Sequence, residues 1–214
     1  MQTDLFDPDN SDRREWQLAD DSRLILFFDV LDKSVAAHYF ATLMNIVEWQ
    51  QSDITIANRR IKIPRLNAWY GDPEAHYQYS GQNFEPLPWL PELLEIRRQL
   101  QQFSKHDFNS VLVNLYRGGQ DSVAWHADNE PHLGRNPAIA SLSLGNTRRF
   151  QLKHRRDKTL ARIDLDLPDN SLLLMDGALQ HHWIHQVPKT RKQVGPRINL
   201  TYRRVISPGG HRRY

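Results

Sequence analysis

The sequence contains no cysteine. This absence excludes a disulfide scaffold, a thiolate zinc site, an iron–sulfur cluster and a cysteine nucleophile. A chain without disulfides fits a reducing compartment best, so we expect the protein in the cytoplasm.

Long apolar runs are also absent. The apolar stretch from Leu24 to Val30 is far shorter than the ~20 residues that a membrane-spanning helix needs. Residues Met1 to Arg14 are acidic and polar, without the apolar centre of a signal peptide. We therefore expect no membrane partner.

The composition suits one domain over residues 1–214. Hydrophobic residues make up 39% of the 214 residues, which is enough for one core. The formal net charge is +3 and the sequence pI is about 9.2. This mildly basic balance permits a polyanionic partner without requiring one.

The N-terminal half mixes helix and strand patterns. Helical spacing of apolar residues predicts two helices, and alternation predicts a strand and a hairpin. In chain order we expect a loose lead-in at 1–20, a strand at 24–28, a helix at 32–50, a hairpin at 53–64, irregular loops at 71–88 and a helix at 89–103.

The C-terminal half consists of short β-like runs separated by turns. The runs are 110–116, 122–126, 138–144, 147–153, 161–165, 171–175, 181–187 and 197–205. Such spacing predicts an antiparallel barrel or a two-sheet jelly roll. The fold class is therefore α+β and mainly β: a jelly roll with the two helices of the N-terminal half packed on it.

A metal site is indicated by His126 and Asp128. Residues i and i+2 of an extended segment point to the same face, so both side chains can reach one metal. His181, His182 or His185 could supply a third donor. Two histidines and a carboxylate are the ligand set of non-haem Fe(II) oxygenases. Because the chain has ten histidines, a chance His and Asp in a surface loop is the alternative.

Two strands carry polar side chains where a core would be expected. Alternation places Arg197, Asn199, Thr201 and Arg203 on one face of a strand, and Asn114 and Tyr116 on one face of another. If these faces point into a barrel, the arginines need an anionic guest, because a buried unpaired arginine is costly. Arginine pairs with carboxylates through two hydrogen bonds, so a dicarboxylate fits. The alternative is a solvated outer face.

At this point the residues resemble those of a known family, the AlkB-type Fe(II)/2-oxoglutarate dioxygenases that reverse alkylation damage in nucleic acids. The similarity is greatest to the subgroup of the two human DNA-repair homologues and covers roughly residues 60–205. The matching stretches are 64–71, 77–80, 114–117, 121–131, 140–145, 185–188 and 197–203.

The resemblance implies a role for each matched residue. The implied iron ligands are His126, Asp128 and His185, and the family's His-x-Val-Pro pattern selects this third ligand. The implied 2-oxoglutarate contacts are Asn114, Tyr116, Arg197, Asn199, Thr201 and Arg203, with Arg197 on the distal carboxylate. The implied substrate contacts are Arg65, Trp69, Tyr70, Tyr77, Gln78, Tyr79 and Asn129.

The resemblance also implies the reaction. Fe(II), dioxygen and 2-oxoglutarate would oxidise a methyl group on a base nitrogen and release succinate, CO2 and formaldehyde. The partner would be alkylated DNA, or RNA, and in a bacterium the protein would work near the nucleoid. Alternatives are the same chemistry on RNA or protein, or an inactive β-barrel that binds nucleic acid. We expect a monomer.

The same resemblance divides the chain into a lid and hairpin that recognise the nucleotide (53–80), a catalytic jelly roll (110–205) and a basic tail (207–214). The hairpin tip at Asn58, Arg59 and Arg60 is polar and basic. It therefore suits phosphate contact better than intercalation, and predicts activity on single strands. Asn129 stands where the human homologues have an acidic residue, which places a preference for cationic bases in question. Basic clusters such as Arg148-Arg149 are further candidates for phosphate contact.

Overall fold

The computed structural model describes residues 3–5, 12–56, 59–79 and 82–206, and most of its ordered elements are strands. In chain order they are β1 (Thr3–Leu5), β2 (Arg13–Leu18), β3 (Ser22–Phe27), β4 (Asp53–Ile56), β5 (Arg59–Lys62), β6 (Leu66–Gly71), β7 (Tyr77–Tyr79), β8 (Gln82–Phe84), β9 (Ser110–Tyr116), β10 (Val123–His126), β11 (Ile139–Gly145), β12 (Arg148–His154), β13 (Ile163–Leu167), β14 (Ser171–Gly177), β15 (Trp183–Val187) and β16 (Arg197–Arg203). The helices are α1 (Lys33–Ile46), α2 (Pro91–Leu100) and the single turn α3 (Leu179–His182).

Twelve of the strands form two antiparallel sheets that pack on each other, and the other four form two separate hairpins. The large sheet has the order β1-β2-β3-β14-β11-β16-β9-β6, and the small sheet has the order β10-β15-β12-β13. Apolar side chains from both sheets, such as Leu173 and Met175 from one and Phe150 and Leu152 from the other, share one core cluster. This arrangement is the predicted jelly roll.

The two predicted helices cover the outer face of the large sheet. Asp32 caps α1 by accepting a hydrogen bond from the Ser34 backbone N–H at 2.8 Å. The apolar side chains of Leu43 in α1 and Leu93 in α2 join Leu200 of β16 in a second core cluster. The large sheet is therefore buried on both faces, with helices on one side and the small sheet on the other.

Three expectations about segments were wrong. Within the supposed lead-in, residues 13–18 form β2 and pair with β3, burying Trp16 and Leu18. Charged residues on the exposed positions of this strand hide its alternation. Within the supposed loops at 71–88, β7 and β8 pair as a two-stranded ribbon, and three-residue strands are too short to show a period. His181 and His182 belong to α3 rather than to a strand.

The predicted hairpin and the two predicted helices are present in the structure. The hairpin at 53–64 is present as β4 paired with β5, although the tip residue Asn58 lies outside the described residues, as does the basic tail at 207–214. Both helices are shorter than predicted but lie within the predicted ranges. Among the described residues, no helix is long and apolar enough to cross a membrane.

Candidate active site

The polar stripe of β16 faces the space between the two sheets. β16 lies between β9 and β11, so that Arg197 is opposite Tyr116 and Asn199 is opposite Asn114. All four side chains are buried, as is Thr201. The alternative of a solvated outer face is therefore wrong, and the barrel interior holds the polar groups.

The three predicted ligands converge beside this stripe. β10 pairs with β15 in a register that sets His126 opposite His185, and Asp128 follows directly after β10. One ligand atom from each of the three residues lies within 4.8 Å of the other two. The structure therefore brings His185 to the pair, whereas His181 is exposed and His182 lies near Asp20 instead.

The protonation states of the three side chains suit a divalent metal. The Nδ1–H of His126 donates to the carbonyl of Ala124 at 2.8 Å, which leaves Nε2 free to bind a metal. Burial, then the charge of His126, lowers the pKa of His185 to about 3, so its ring is neutral. Two imidazoles and a carboxylate are a donor set that fits Fe(II).

The carboxylate ligand Asp128 is kept ionised by an arginine. Its burial opposes ionisation, but the charge of Arg203 outweighs burial and lowers the pKa of Asp128. Arg203 Nη2 lies 2.7 Å from Asp128 Oδ1. Arg203 thus contacts the predicted metal ligand directly, at the predicted edge of the 2-oxoglutarate site.

Arg197 is a buried cation whose hydrogen-bond donors are not all paired. Its Nη2 donates to Ser143 Oγ at 2.8 Å, while Nε and Nη1 are buried without a hydrogen-bond partner. Burial lowers the pKa of this guanidinium to about 10, and it remains a cation at neutral pH. A buried guanidinium with unpaired N–H donors is a natural partner for a carboxylate, so the residues present fit 2-oxoglutarate.

Ligands, stripe and arginines line a single cavity with an empty volume of about 460 Å³, counting its open mouth. Its apolar wall consists of Leu112, Val123, Phe150, Met175 and Val187. The Phe150 ring stacks on the His185 ring with centroids 5.2 Å apart. The cavity therefore combines three candidate metal ligands, an arginine that can bind a carboxylate, and an apolar wall.

Several supporting residues escaped the sequence analysis. Gln180 is fully buried, and its Oε1 accepts a hydrogen bond from the Asp128 backbone N–H at 2.9 Å. Ser143 receives the hydrogen bond from Arg197. The histidine-rich segment around Gln180 drew attention to its histidines only, and both contacts span more than fifty positions of the chain.

The prediction that Arg148 contacts phosphate was wrong. Arg148 is 2% exposed, and its guanidinium donates to the carbonyls of Gly118, Asp121 and Pro188 at 2.7–3.0 Å. The side chain ties the loop between β9 and β10 to the segment that follows β15, and it cannot reach the phosphate backbone of a nucleic acid. Its neighbour Arg149 is exposed and pairs with Asp166.

The predicted substrate contacts separate into four groups, the last of which is Tyr70 alone. Arg65 lines the cavity, where its Nε donates to Asn114 Oδ1 at 2.8 Å. Trp69 is half-buried against Ala75, Leu133 and Val205, and Asn129 is exposed; neither lines the cavity. The side chains of Tyr77, Gln78 and Tyr79 lie outside the described residues.

The prediction for Tyr70 needs correction. Tyr70 is 1% exposed and belongs to the core beneath the helices, where its hydroxyl accepts a hydrogen bond from the Glu48 backbone N–H at 3.1 Å. Trp69 and Tyr70 are neighbours on β6 and therefore point to opposite faces of the sheet. Tyr70 supports the fold and is closed to substrate.

Comparisons with known proteins agree with this geometry. A family model described as the 2OG-Fe(II) oxygenase superfamily matches residues 23–203. The alpha-ketoglutarate-dependent dioxygenase alkB homolog 3 of Bos taurus is 43% identical over 192 residues, which cover 86% of this chain and 66% of that protein. The human form of alkB homolog 3 is 41% identical over 192 residues, with the same coverage of both chains.

A second group of relatives is more distant. The human DNA oxidative demethylase ALKBH2 is 37% identical over 150 residues, which cover 67% of this chain and 58% of that protein. The chain thus spans 66% of the two alkB homolog 3 proteins and 58% of human ALKBH2. Among solved structures, OsALKBH1 superposes with a TM-score of 0.57 at 18% identity, over 85% of this chain and 96% of that one. That likeness concerns the fold alone.

Proposed function

The chain belongs to the 2OG-Fe(II) oxygenase superfamily, and on that premise we propose that it removes alkyl groups oxidatively from the bases of nucleic acid. The AlkB-type resemblance seen in the motifs is confirmed by relatives in two AlkB groups. The names of those relatives, a dioxygenase and a DNA oxidative demethylase, support a nucleic-acid substrate.

One observation carries the proposal. Arg197 presents two buried N–H groups without a partner, in the same cavity as the triad of His126, Asp128 and His185. A buried cation with unpaired donors is costly, so its retention beside a metal triad indicates a carboxylate-bearing cosubstrate. A purely structural metal site would have no use for such a cradle.

His126, Asp128 and His185 would hold the iron. Bound Fe(II) supplies the redox chemistry with dioxygen that protein side chains cannot perform. Around it the protein positions groups: Ala124 fixes the tautomer of His126, and Arg203 holds the carboxylate of Asp128. Arg197 would bind the distal carboxylate of 2-oxoglutarate and so orient its other end toward the triad.

The cavity wall would keep water away from the reacting atoms. Phe150 and Val187 lie on the small sheet and Leu112 and Met175 on the large one, and all four line the cavity with the ligands. A base stacked in a duplex cannot enter such an enclosure, so the substrate base must be flipped out or already single-stranded. Arg65 lines the cavity and would contact the base or a phosphate of the substrate.

The finer parts of the proposal concern products and strand preference. We propose that the methyl group of the base is released as formaldehyde while 2-oxoglutarate and dioxygen are converted to succinate and CO2. We further propose that the single chain acts as a monomer, in the cytoplasm, on single strands. Arg59 and Arg60 on β5 are exposed and basic, which suits contact with phosphates better than with stacked bases. Residues 53–80 would then serve as the nucleotide-recognition lid.

The experiment combines the protein with Fe(II), 2-oxoglutarate and oligonucleotides carrying 1-methyladenine, 3-methylcytosine or an etheno adduct, as single strands and duplexes of DNA and RNA. Succinate and, for the methylated bases, formaldehyde should appear in step with repair of the base. His126→Ala and Asp128→Ala should abolish turnover, while His181→Ala should retain it because His181 is exposed and outside the cavity.

Turnover that persists in both ligand variants would refute the assignment. A protein that makes no succinate with any nucleic acid, yet binds it, would favour an inactive binding barrel instead. A clear preference for duplex DNA would contradict the strand preference alone.

A further inference from the structure

A second cluster of metal-binding side chains lies outside the cavity. It consists of Asp20, His154 and His182, which we term the Asp20 cluster, and one ligand atom of each lies within 4.8 Å of the others. His154 Nε2 is 2.9 Å from Asp20 Oδ2, and His182 Nδ1 is 3.7 Å from the same oxygen. None of the three lines the active-site cavity.

The three side chains come from distant segments that the backbone fixes to one another. Asp20 lies in the turn between β2 and β3, His154 ends β12, and His182 ends α3. The Ala178 N–H donates to the Asp21 carbonyl at 3.0 Å, and the Arg155 N–H donates to the His182 carbonyl at 2.8 Å. These bonds hold the cluster together without a metal, so little ordering remains to be done when an ion binds.

The geometry of the two rings also suits a shared ion. The His154 and His182 rings are parallel, at 4° with centroids 6.1 Å apart. The side chain of His154 is 7% exposed, whereas those of Asp20 and His182 are about half exposed, at 48% and 42%. An ion between the three would have a buried anchor on one side and room for water ligands on the other.

We propose that the Asp20 cluster is a second metal site, separate from the iron triad, for Zn²⁺ or a similar borderline divalent cation. Two imidazoles and one carboxylate are a donor set that Zn²⁺ binds well, with water in the remaining position. Ca²⁺ and Mg²⁺ prefer oxygen donors and are poor candidates. The ion would clamp the β2–β3 turn, the end of β12 and α3.

Binding requires one rearrangement of a proton. His154 Nδ1 accepts a hydrogen bond from the Asp157 backbone N–H at 2.8 Å, so in the metal-free protein the ring proton is on Nε2, facing Asp20. A cation on Nε2 moves that proton to Nδ1, and the Asp157 N–H must then turn toward water. Residues 155–159 are exposed, so the exchange gives up one hydrogen bond at the surface.

The test uses the full chain with the iron triad disabled by His126→Ala and Asp128→Ala. Zn²⁺ titrated calorimetrically into this double variant should bind at one site and raise the melting temperature. Adding Asp20→Asn or His182→Gln should weaken binding at least tenfold. Asn suits position 20 because its φ of 58° is left-handed, and Asn tolerates that conformation.

His181→Gln is the matched control, because it makes the same change one residue earlier at an exposed position outside the cluster. It should leave Zn²⁺ binding intact. The proposal is overturned if the triad-disabled protein binds no Zn²⁺, or if binding survives both Asp20→Asn and His182→Gln. Because these two side chains are exposed, a failure to fold is not expected to obscure the result, and circular dichroism checks it.

Discussion

Gln180 Oε1 accepts a hydrogen bond from the backbone N–H of Asp128 at 2.9 Å, entirely within the protein interior. α3 therefore holds the loop that carries the carboxylate ligand, and its chain continues into β15 with the third ligand, His185. The amide nitrogen of Gln180 has only a weak contact, 3.5 Å from Met175 Sδ. The oxygen of Gln180 is therefore the important end, as a positioning group for the triad.

Gln180→Met should weaken metal binding while the fold persists. Methionine has a similar shape but leaves the Asp128 N–H unpaired in the interior, which costs about 1–3 kcal/mol. Loss of a supporting contact of this kind typically lowers metal affinity about 10–100-fold. Titration with Co²⁺, followed by its visible absorption, measures this affinity independently of turnover.

The matched control is Gln186→Met, the same change beside His185 in a side chain that bonds Gln151 rather than the ligand loop. It should leave Co²⁺ affinity within about twofold, as expected for a substitution of small effect. Equal losses in the two variants would assign Gln180 a general structural role.

Two buried arginines flank Tyr116, and they differ in whether their guanidinium groups have hydrogen-bond partners. Arg197 and Arg148 are 1% and 2% exposed, and their guanidinium carbons lie 5.3 and 5.4 Å from the Tyr116 ring centroid. Arg148 donates to three carbonyls, whereas Arg197 has two N–H groups without a partner. Replacement by Met should therefore destabilise the protein at Arg148 but not at Arg197.

Arg148→Met should destabilise the protein by about 3 kcal/mol, because it strips partners from three carbonyls. Arg197→Met should leave the cosubstrate-free protein as stable as the parent or more so, since it removes an unpaired buried charge. Arg197→Met should also abolish the stabilisation that 2-oxoglutarate gives by binding the native state. Urea denaturation with and without 2-oxoglutarate measures both effects. A large stability loss in Arg197→Met alone would show that this arginine is structural.

The strict alternation of β9 and β16 explains why so much of the site could be predicted. Each strand is buried on both faces, so its polar side chains need polar partners or a bound ligand inside the protein. The third candidate ligand was different: chemistry left three histidines open, and only the resemblance to the family selected His185. The pairing of β10 with β15 places His185 opposite His126. Ser143 and Gln180 could not be found, because their partners lie more than fifty residues away in sequence.

The error at Tyr70 was avoidable, since alternation allows only one of two neighbours on β6 to face the cavity side. The error at Arg148 could not be avoided, because nothing in the neighbouring sequence indicates that a basic residue at the start of a strand is buried. The three carbonyls it binds belong to two loops, at Gly118 and Asp121 and at Pro188, that meet this strand only in the folded chain.

The metal-free protein should lose stability in mild acid. The pKa of His185 is about 3 when folded, because of burial and then of His126, against an ordinary value of 6.5. Between these values the unfolded chain binds a proton that the folded chain does not. Stability should therefore fall as the pH drops below 6.5, by up to ~1.4 kcal/mol per pH unit from this residue.

Asp128 acts in the same direction, because its pKa is lowered when folded and its contribution is lost as acid protonates it. Urea denaturation of the metal-free protein at pH 7 and pH 5 measures the total effect. His185→Gln should flatten the dependence, and His181→Gln should not. An unchanged slope in His185→Gln would mean that other groups govern acid stability.

Asn129 follows directly after the ligand Asp128 and is exposed at the edge of the site. A carboxylate here would attract a base that carries a positive charge, and this chain has a neutral amide instead. Asn129→Asp should therefore raise kcat/KM for the cationic lesions 1-methyladenine and 3-methylcytosine. A charge pair at an exposed position contributes ~0.2–1 kcal/mol, so the gain should be about 1.4- to fivefold.

A neutral etheno adduct in the same oligonucleotide serves as the reference lesion, because its rate should not respond to the new charge. The gain should also shrink as salt is raised, since an exposed pair is screened. Asn129→Gln controls for the change of side chain without charge. A gain that is equal for cationic and neutral lesions would show that position 129 affects catalysis by some route other than recognition of the charged base.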